Sequence, residues 1–320
     1  MSVLSKPYFH NEAEAFTYLE QIIWSKGVVC PHCGVIDGRV YDLSDVRGKP
    51  SKKSPEGAIR YGLKKCGECR KQFTVKVGTV FEHGRMPLHK MLQATYLMTS
   101  SKKGISAHQL HRVLEITYKS AWFLAHRIRE AMRDGALDIM GGNGAEVMAD
   151  ETYIGNKPEM RYMKRTRGSS HKMRVVSLLD KSTGKTRSIY APGLAKDEVA
   201  QIVRKNIDRE SQLVTDESTL YKAVGKEFIS HTSVLHGAGQ YMKDGKTTNN
   251  IEGFFSIFKR GMRGVYQHCQ EKHLHRYLAE FDFRYSNRAA LEIDDNMRSA
   301  NALAGISGKR LTYRRIGRTG

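Results

Sequence analysis

Residues 147–150, Val147-Met148-Ala149-Asp150, form a short apolar run that closes on a carboxylate, and the same figure returns at Leu213-Val214-Thr215-Asp216. Apolar runs of this length suit strands buried in a sheet, so each run puts an acid at a strand end. A third stretch, Thr248-Asn249-Asn250-Ile251-Glu252, opens a helical pattern with Ile251, Phe254, Phe255 and Phe258 turned inward. Lys259 follows Glu252 two turns along the same face. Two carboxylates at strand ends and one on a helix can converge on hard divalent cations, which take oxygen ligands. A lysine beside them could hold a phosphate, and the set suits two-metal phosphoryl chemistry on nucleic acid. Each residue also has a plainer reading. An Asp after a strand forms turns or caps helices, and Glu252 with Lys259 is also what a solvated helix face carries.

The surroundings of the acids supply an order. Residues 145–154, 173–179 and 186–191 read as strands, the last two joined by the turn Asp180-Lys181-Ser182-Thr183-Gly184-Lys185. A helix over 196–209, a strand over 212–215 and a second helix from Glu217 follow. Three strands, helix, strand, helix, with acids ending the first and fourth strands, predict an α/β fold: an RNase H-like mixed sheet flanked by helices. Glu151, next to Asp150, is expected to face away from it on the strand. The glycines of 261–267 interrupt the helix that carries Glu252, and 273–288 is a last helix whose Leu274, Tyr277, Leu278, Phe281 and Tyr285 are core. Between the first two strands, 157–172 is rich in Lys, Arg and Ser. Lying just downstream of Asp150, it suggests contacts to a DNA backbone through Lys164, Arg165, Arg167 and Lys172. Arg260 is a further candidate beside Lys259.

Upstream, 11–26 reads as an amphipathic helix capped by Asn11 and stopped by Gly27. Cys30-Pro31-His32-Cys33 and Cys66-Gly67-Glu68-Cys69 are two knuckles, each able to aim two thiolates at one ion. Four thiolates make a closed tetrahedral zinc site, so Cys30, Cys33, Cys66 and Cys69 predict a structural zinc ribbon with a strand at 73–77. The ribbon would present Lys64, Lys65, Arg70 and Lys71 to DNA. A helix over 88–100 leads to Ser106-Ala107-His108-Gln109, a capping box, and then to a second helix from Thr117 to about Arg133. Its inner stripe is Trp122, Ala125, Ile128 and Met132, leaving Lys119, Arg127 and Arg129 outside. Short helix, turn and basic helix resemble a helix-turn-helix, although an ordinary helical hairpin has the same pattern. The glycine-rich 135–144 marks a boundary. The domains expected are 1–82 (helix and ribbon), 83–140 (helical DNA-binding region), 145–290 (catalytic domain) and 291–320 (a basic tail).

Charge is the outlier in the composition. Lys+Arg 53 against Asp+Glu 33 gives +20 over 320 residues, which calls for a polyanionic partner. No apolar run spans a bilayer and residues 1–7 lack a signal-peptide core, so double-stranded DNA is favoured over a membrane. The expected compartment is the reducing cytoplasm, where paired cysteines hold metal and do not form disulfides.

Several motifs, taken in order, resemble one family. They are Cys66-Gly67-Glu68-Cys69-Arg70-Lys71-Gln72-Phe73 with Gly78-Thr79-Val80-Phe81, Ala149-Asp150-Glu151-Thr152-Tyr153, His236 with Tyr241, Asn249 to Gly261, and His273 to Phe281 running into Arg284-Tyr285-Ser286-Asn287-Arg288. Together they resemble the zinc-ribbon DDE transposases of bacterial insertion sequences, with an ISXO-type transposase domain. The resemblance implies that Asp150, Asp216 and Glu252 are the acidic triad and ligands of Mg²⁺ or Mn²⁺, with Lys259 at a phosphate. It further implies cleavage at the terminal inverted repeats of an element, joining of the freed 3′-hydroxyl to target DNA, and assembly of several copies on DNA. A DNA-binding descendant without catalysis and a structure-selective nuclease of the same fold are the alternatives.

Overall fold

The computed structural model describes residues 2–44, 46–52, 54–135, 138–155, 171–193, 196–235 and 242–311. Along the chain lie α1 (Glu12–Ile23), β1 (Val40–Asp42), β2 (Lys64–Cys66), β3 (Gln72–Phe73), α2 (Leu88–Ser100), α3 (Ala107–Leu114) and α4 (Tyr118–Met132). Then come β4 (Glu146–Ile154), β5 (Met173–Asp180), β6 (Thr186–Ala191), α5 (Lys196–Asn206), β7 (Gln212–Asp216) and β8 (Ser230–Val234). Last are α6 (Asn249–Gly261), α7 (Glu271–Ser286) and α8 (Asp295–Ala304). The chain forms two compact units: one from residues 1–101, 105–132 and 295–320, the other from 102–104 and 133–294.

In the first unit, α1 begins where Asn11 accepts the N–H groups of Ala13 and Glu14. Glu12 then reaches α2, accepting Leu88 N–H at 2.7 Å and His89 N–H at 3.1 Å. It thereby satisfies donors that Pro87 has no side chain to cap. Ser106 caps α3 through Gln109 N–H, and Glu115, in the left-handed region at φ 51°, turns the chain into α4. The ribbon is a three-stranded antiparallel sheet in the order β1-β2-β3. The strand read at 73–77 is confined to Gln72–Phe73, because Thr74 starts a turn that Val77 N–H closes.

Residues 291–320, read as a basic tail, instead open with a helix. Leu303 and Ile306 of this segment are fully buried, Arg298 donates to Thr99 O at 3.3 Å, and Lys309 donates to Ala131 O at 2.9 Å. Val80 N–H pairs with Ile306 O at 3.1 Å. Arg314, Arg315 and Arg318 lie outside the described residues.

The second unit is built on a five-stranded sheet in the order β6-β5-β4-β7-β8. β4, β5 and β6 pair antiparallel, and β4-β7 and β7-β8 pair parallel. This is the RNase H-like mixed sheet. The apolar runs expected for buried strands account for it, since β5 is buried along its whole length. Met148, Val175, Leu179 and Val214 meet the phenylalanines of α6 and Leu274, Leu278 and Phe281 of α7 on one face. Val147, Ala149, Val176 and Leu213 meet Val199 and Val203 of α5 on the other.

The helix expected from Glu217 is a turn followed by a 3-10 turn at Val224–Glu227, and the sheet has a fifth strand, β8, that the apolar pattern does not predict. Polar Ser230, His231 and Ser233 break the apolar signal of that edge strand. Residues 261–267 do not interrupt α6, which runs on as a π-helical turn over Met262–Tyr266. The Tyr266 hydroxyl donates to buried Glu280, which is paired with Arg284 of α7, and this anchors the wider turn.

Candidate active site

The parallel register of β4 with β7 stops at Met148↔Val214. Beyond it β4 runs on alone on that side, and β7 ends at Asp216. The acids gather at this step in the sheet. Asp150, Glu151 and Asp216 each bring a carboxylate oxygen within 4.8 Å of the others. Asp150 lies on the α6/α7 face and Glu151 on the α5 face, as the alternation of strand side chains requires. With no neighbouring strand at the step, both side chains nonetheless reach the same edge. Glu151 thus faces away from Asp150 along the strand, as expected, yet its carboxylate joins the cluster, and its reading as a bystander is overturned.

The cluster is fastened from below. Glu151 N–H donates to Asp150 Oδ1 at 2.7 Å, and Ser218 N–H to Asp216 Oδ1 at 3.0 Å. The Ser218 and Tyr221 hydroxyls donate to the two oxygens of Glu151 at 3.2 and 2.9 Å. Burial, then the charges of Asp216, Glu151 and Glu252, push the Asp150 carboxyl up to about 8. Burial also raises Glu151, against hydrogen bonds from Tyr221 and Ser218. Close carboxylates in a half-buried notch favour protons or cations over bare charges, and oxygen donors at this spacing fit a hard divalent ion.

Glu252 stands one step out. It is exposed in the first turn of α6 and accepts the Thr248 hydroxyl at 3.1 Å, outside the three-acid cluster but near enough for its charge to act on Asp150. Lys259 is half-buried with its ammonium 5.9 Å from the Phe255 ring centre. Burial, then Arg263 and Lys172, hold it below its usual range, while Asp150 pulls it up. Lys259 is thus the cation that feels Asp150, with Arg263 and Lys172 close to Lys259 itself. Lys172 was expected there. Arg263 lies past Gly261, on the helical turn that the glycine pattern does not predict. Arg260 is exposed and donates to Ser256. Lys164, Arg165, Arg167, His236 and Tyr241 fall outside the described residues.

In the other unit Cys30, Cys33, Cys66 and Cys69 converge, with Cys30 Sγ 3.7 Å from Cys69 Sγ and Cys33 Sγ 3.8 Å from Cys66 Sγ. Four sulfurs at about 2.3 Å from a tetrahedral zinc stand about 3.8 Å apart, so the knuckles fit that ion. Burial opposes the Cys30 thiolate, but the N–H groups of His32 and Cys33 and the neighbouring thiols bring it down to about 6. Lys64 is not presented to solvent. It is 8% exposed, 3.1 Å from both Glu20 and Asp42. On α4, Lys119 is exposed, but Arg129 is 3% exposed inside the unit and Arg127 lies half-buried over the Phe123 ring, its guanidinium carbon 4.8 Å from the centre. The outer face read for Arg127 and Arg129 is corrected accordingly: α4 is buried on more than one side.

Residues 141–286 match the ISXO2-like transposase domain and residues 10–72 the transposase zinc-ribbon domain. The chain carries the domains of an insertion-sequence transposase. A relative from Halobacterium salinarum, the uncharacterized protein in transposable element ISH50, is 26% identical over 298 residues, covering 86% of this chain and 91% of that one. Among solved structures, a simian T-cell lymphotropic virus intasome in complex with PP2A regulatory subunit B56 gamma aligns at 12% identity with a TM-score of 0.27. That alignment covers 60% of this chain and spans 65% of the other. The acids and Lys259 of the transposase all lie within the matched transposase domain, and its four cysteines within the matched ribbon. No helix among its described residues is long and apolar enough to cross a membrane.

Proposed function

We propose that this transposase cleaves DNA at the terminal inverted repeats of its element and joins the freed 3′-hydroxyl to target DNA. The observation that carries the reading is the notch at the end of β7, where Asp150 and Asp216 meet beside Lys259. Asp150, Asp216 and Glu252 would hold Mg²⁺ or Mn²⁺, which when bound makes water a better nucleophile and stabilises charge on the leaving oxygen. The protein's own part is positioning. Lys259, with Lys172 and Arg263, neutralises and orients the scissile phosphate. The half-buried walls of the notch limit access of bulk water. Glu252, at the start of α6 and near enough for its charge to act on Asp150, would complete the oxygen set.

The first unit would find the ends. Its four thiolates hold structural zinc, which keeps the ribbon folded and suits a reducing compartment such as the cytoplasm. Tyr118 and Lys119, exposed at the start of α4, would form the reading end of a helix-turn-helix. Two ends must be handled together, so a homo-oligomer on DNA is the working assembly. The test is incubation of the full chain with labelled duplexes bearing the element's ends and Mg²⁺. Wild type should nick and transfer, and Asp150→Asn should bind the ends yet cut neither strand. Cutting by Asp150→Asn would overturn the assignment. Uncut ends with wild type would point to a DNA-binding protein without catalysis.

A further inference from the structure

Glu151 has no part in the triad of Asp150, Asp216 and Glu252, yet its carboxylate is the one that meets the two aspartates. We propose that Glu151 is an additional cation-facing carboxylate of this centre, held in place by Tyr221 and Ser218. The proposal rests on the reading of Asp150 and Asp216 as cation ligands.

Three observations carry it. First, a carboxylate has no reason of its own to sit within 4.8 Å of two others in a half-buried notch, since desolvation and like charge both oppose it. Second, Glu151 is gripped. Tyr221, fully buried in the core beneath α5, donates to Oε2 at 2.9 Å, and Ser218 donates to Oε1 at 3.2 Å. Each oxygen spends one lone pair on its donor and keeps another for a metal. Hydrogen bonds that orient a ligand from behind in this way set metal affinity, and losing one costs roughly 10–100-fold. Third, Ser218 ties two acids at once, through its N–H to Asp216 and its hydroxyl to Glu151. The turn after β7 therefore fixes their separation. Tyr221 is a positioning residue in this scheme, because it acts on the ion only through Glu151.

The plainer reading is that Glu151 merely satisfies the buried Tyr221 hydroxyl. Glu151→Gln separates the two, because the amide oxygen still accepts from Tyr221 while the charge is gone. The experiment is a titration of the DNA-free full chain with Mn²⁺, reading free ion by electron paramagnetic resonance, with thermal melts of every variant. Expected are losses of affinity of at least about tenfold in Glu151→Gln, which removes the charge, and of roughly tenfold in Tyr221→Phe, which removes the orienting hydrogen bond. Glu151→Asp, which keeps the charge on a shorter arm, should recover part of the affinity. Wild-type affinity in a folded Glu151→Gln, with Asp150→Asn still losing the ion, would overturn this proposal and leave the catalytic reading standing. Binding indifferent to Asp150→Asn as well would overturn both. Should Glu151→Gln fail to fold, Tyr221→Phe decides: unchanged affinity there counts against the proposal.

Discussion

The Asp282 carboxylate accepts both the N–H and the hydroxyl of Ser188, each at 2.7 Å, and so closes the outer edge of the sheet with a side chain from α7. β6 is an edge strand, whose outward N–H groups have no ladder partner. Burial pushes Asp282 up to about 7, against the pull of the two Ser188 bonds and Arg187. A carboxyl raised in the folded state holds its proton more tightly there than when unfolded. Its stabilisation is complete below the unfolded value and is lost as pH rises through about 7. Chemical denaturation of wild type from pH 4 to 8 should therefore show stability falling with pH more steeply than in Asp282→Asn. The difference in slope should be at most about 1.4 kcal/mol per pH unit. Identical slopes would show that Asp282 does not titrate in that window.

Asp150, at about 8 without a cation, should make the notch a site of unfavourable charge at alkaline pH. Asp150→Asn is accordingly expected to melt above wild type in metal-free buffer at pH 8. Millimolar Mg²⁺ should raise the melting temperature of wild type and leave the variant unmoved. Differential scanning calorimetry with and without the ion checks both arms.

Removing zinc should act on the first unit alone. A strong chelator, or Cys66→Ser, is expected to abolish binding to the element's ends and to expose backbone amides of 28–75 to hydrogen exchange. Protection of β4, β5 and β7 should persist. Loss of protection in both units together would contradict the separation of folding from chemistry.

Lys259→Ala removes the cation that interacts with Asp150, and Arg263→Ala removes its cationic neighbour. Strand cleavage is expected to fall at least tenfold for Lys259→Ala, while the salt dependence of DNA binding loses about one unit of slope for each substitution. Single-turnover cleavage and filter binding across a salt series separate the two effects. A Lys259→Ala enzyme that cuts normally would remove the residue from the reaction.

The sheet was legible because buried strands are written as apolar runs, as in Val147 to Ala149 and Leu213 to Val214. Asp216 does end its strand, but Asp150 lies inside β4, just past the end of its pairing with β7, and does not end a strand. What escaped was whatever depended on neighbours. β8 alternates with polar residues because it lies at an edge. Glu151 could be placed on the correct face from periodicity alone, but not the step in register that lets it reach round. Arg263 sits one turn beyond Lys259, a spacing visible in the sequence, yet the flanking glycines suggested a break that the anchored Tyr266 prevents. Lys64 and Arg129 looked available because charge implies solvent on average. Glu20 and Asp42 hold Lys64 inside, and Arg129 sits in the interior of its unit.

The helix at 295–304 gives the first unit two origins in the chain, with the sheet-bearing unit threaded between them. During synthesis the catalytic domain, nearly continuous in sequence, is complete before the residues that finish the unit upstream of it have emerged. A premature stop near residue 290 would therefore damage a region made two hundred residues earlier. Shortened copies of the gene would yield a sheet with its acids but an N-terminal half lacking Leu303 and Ile306 from its interior.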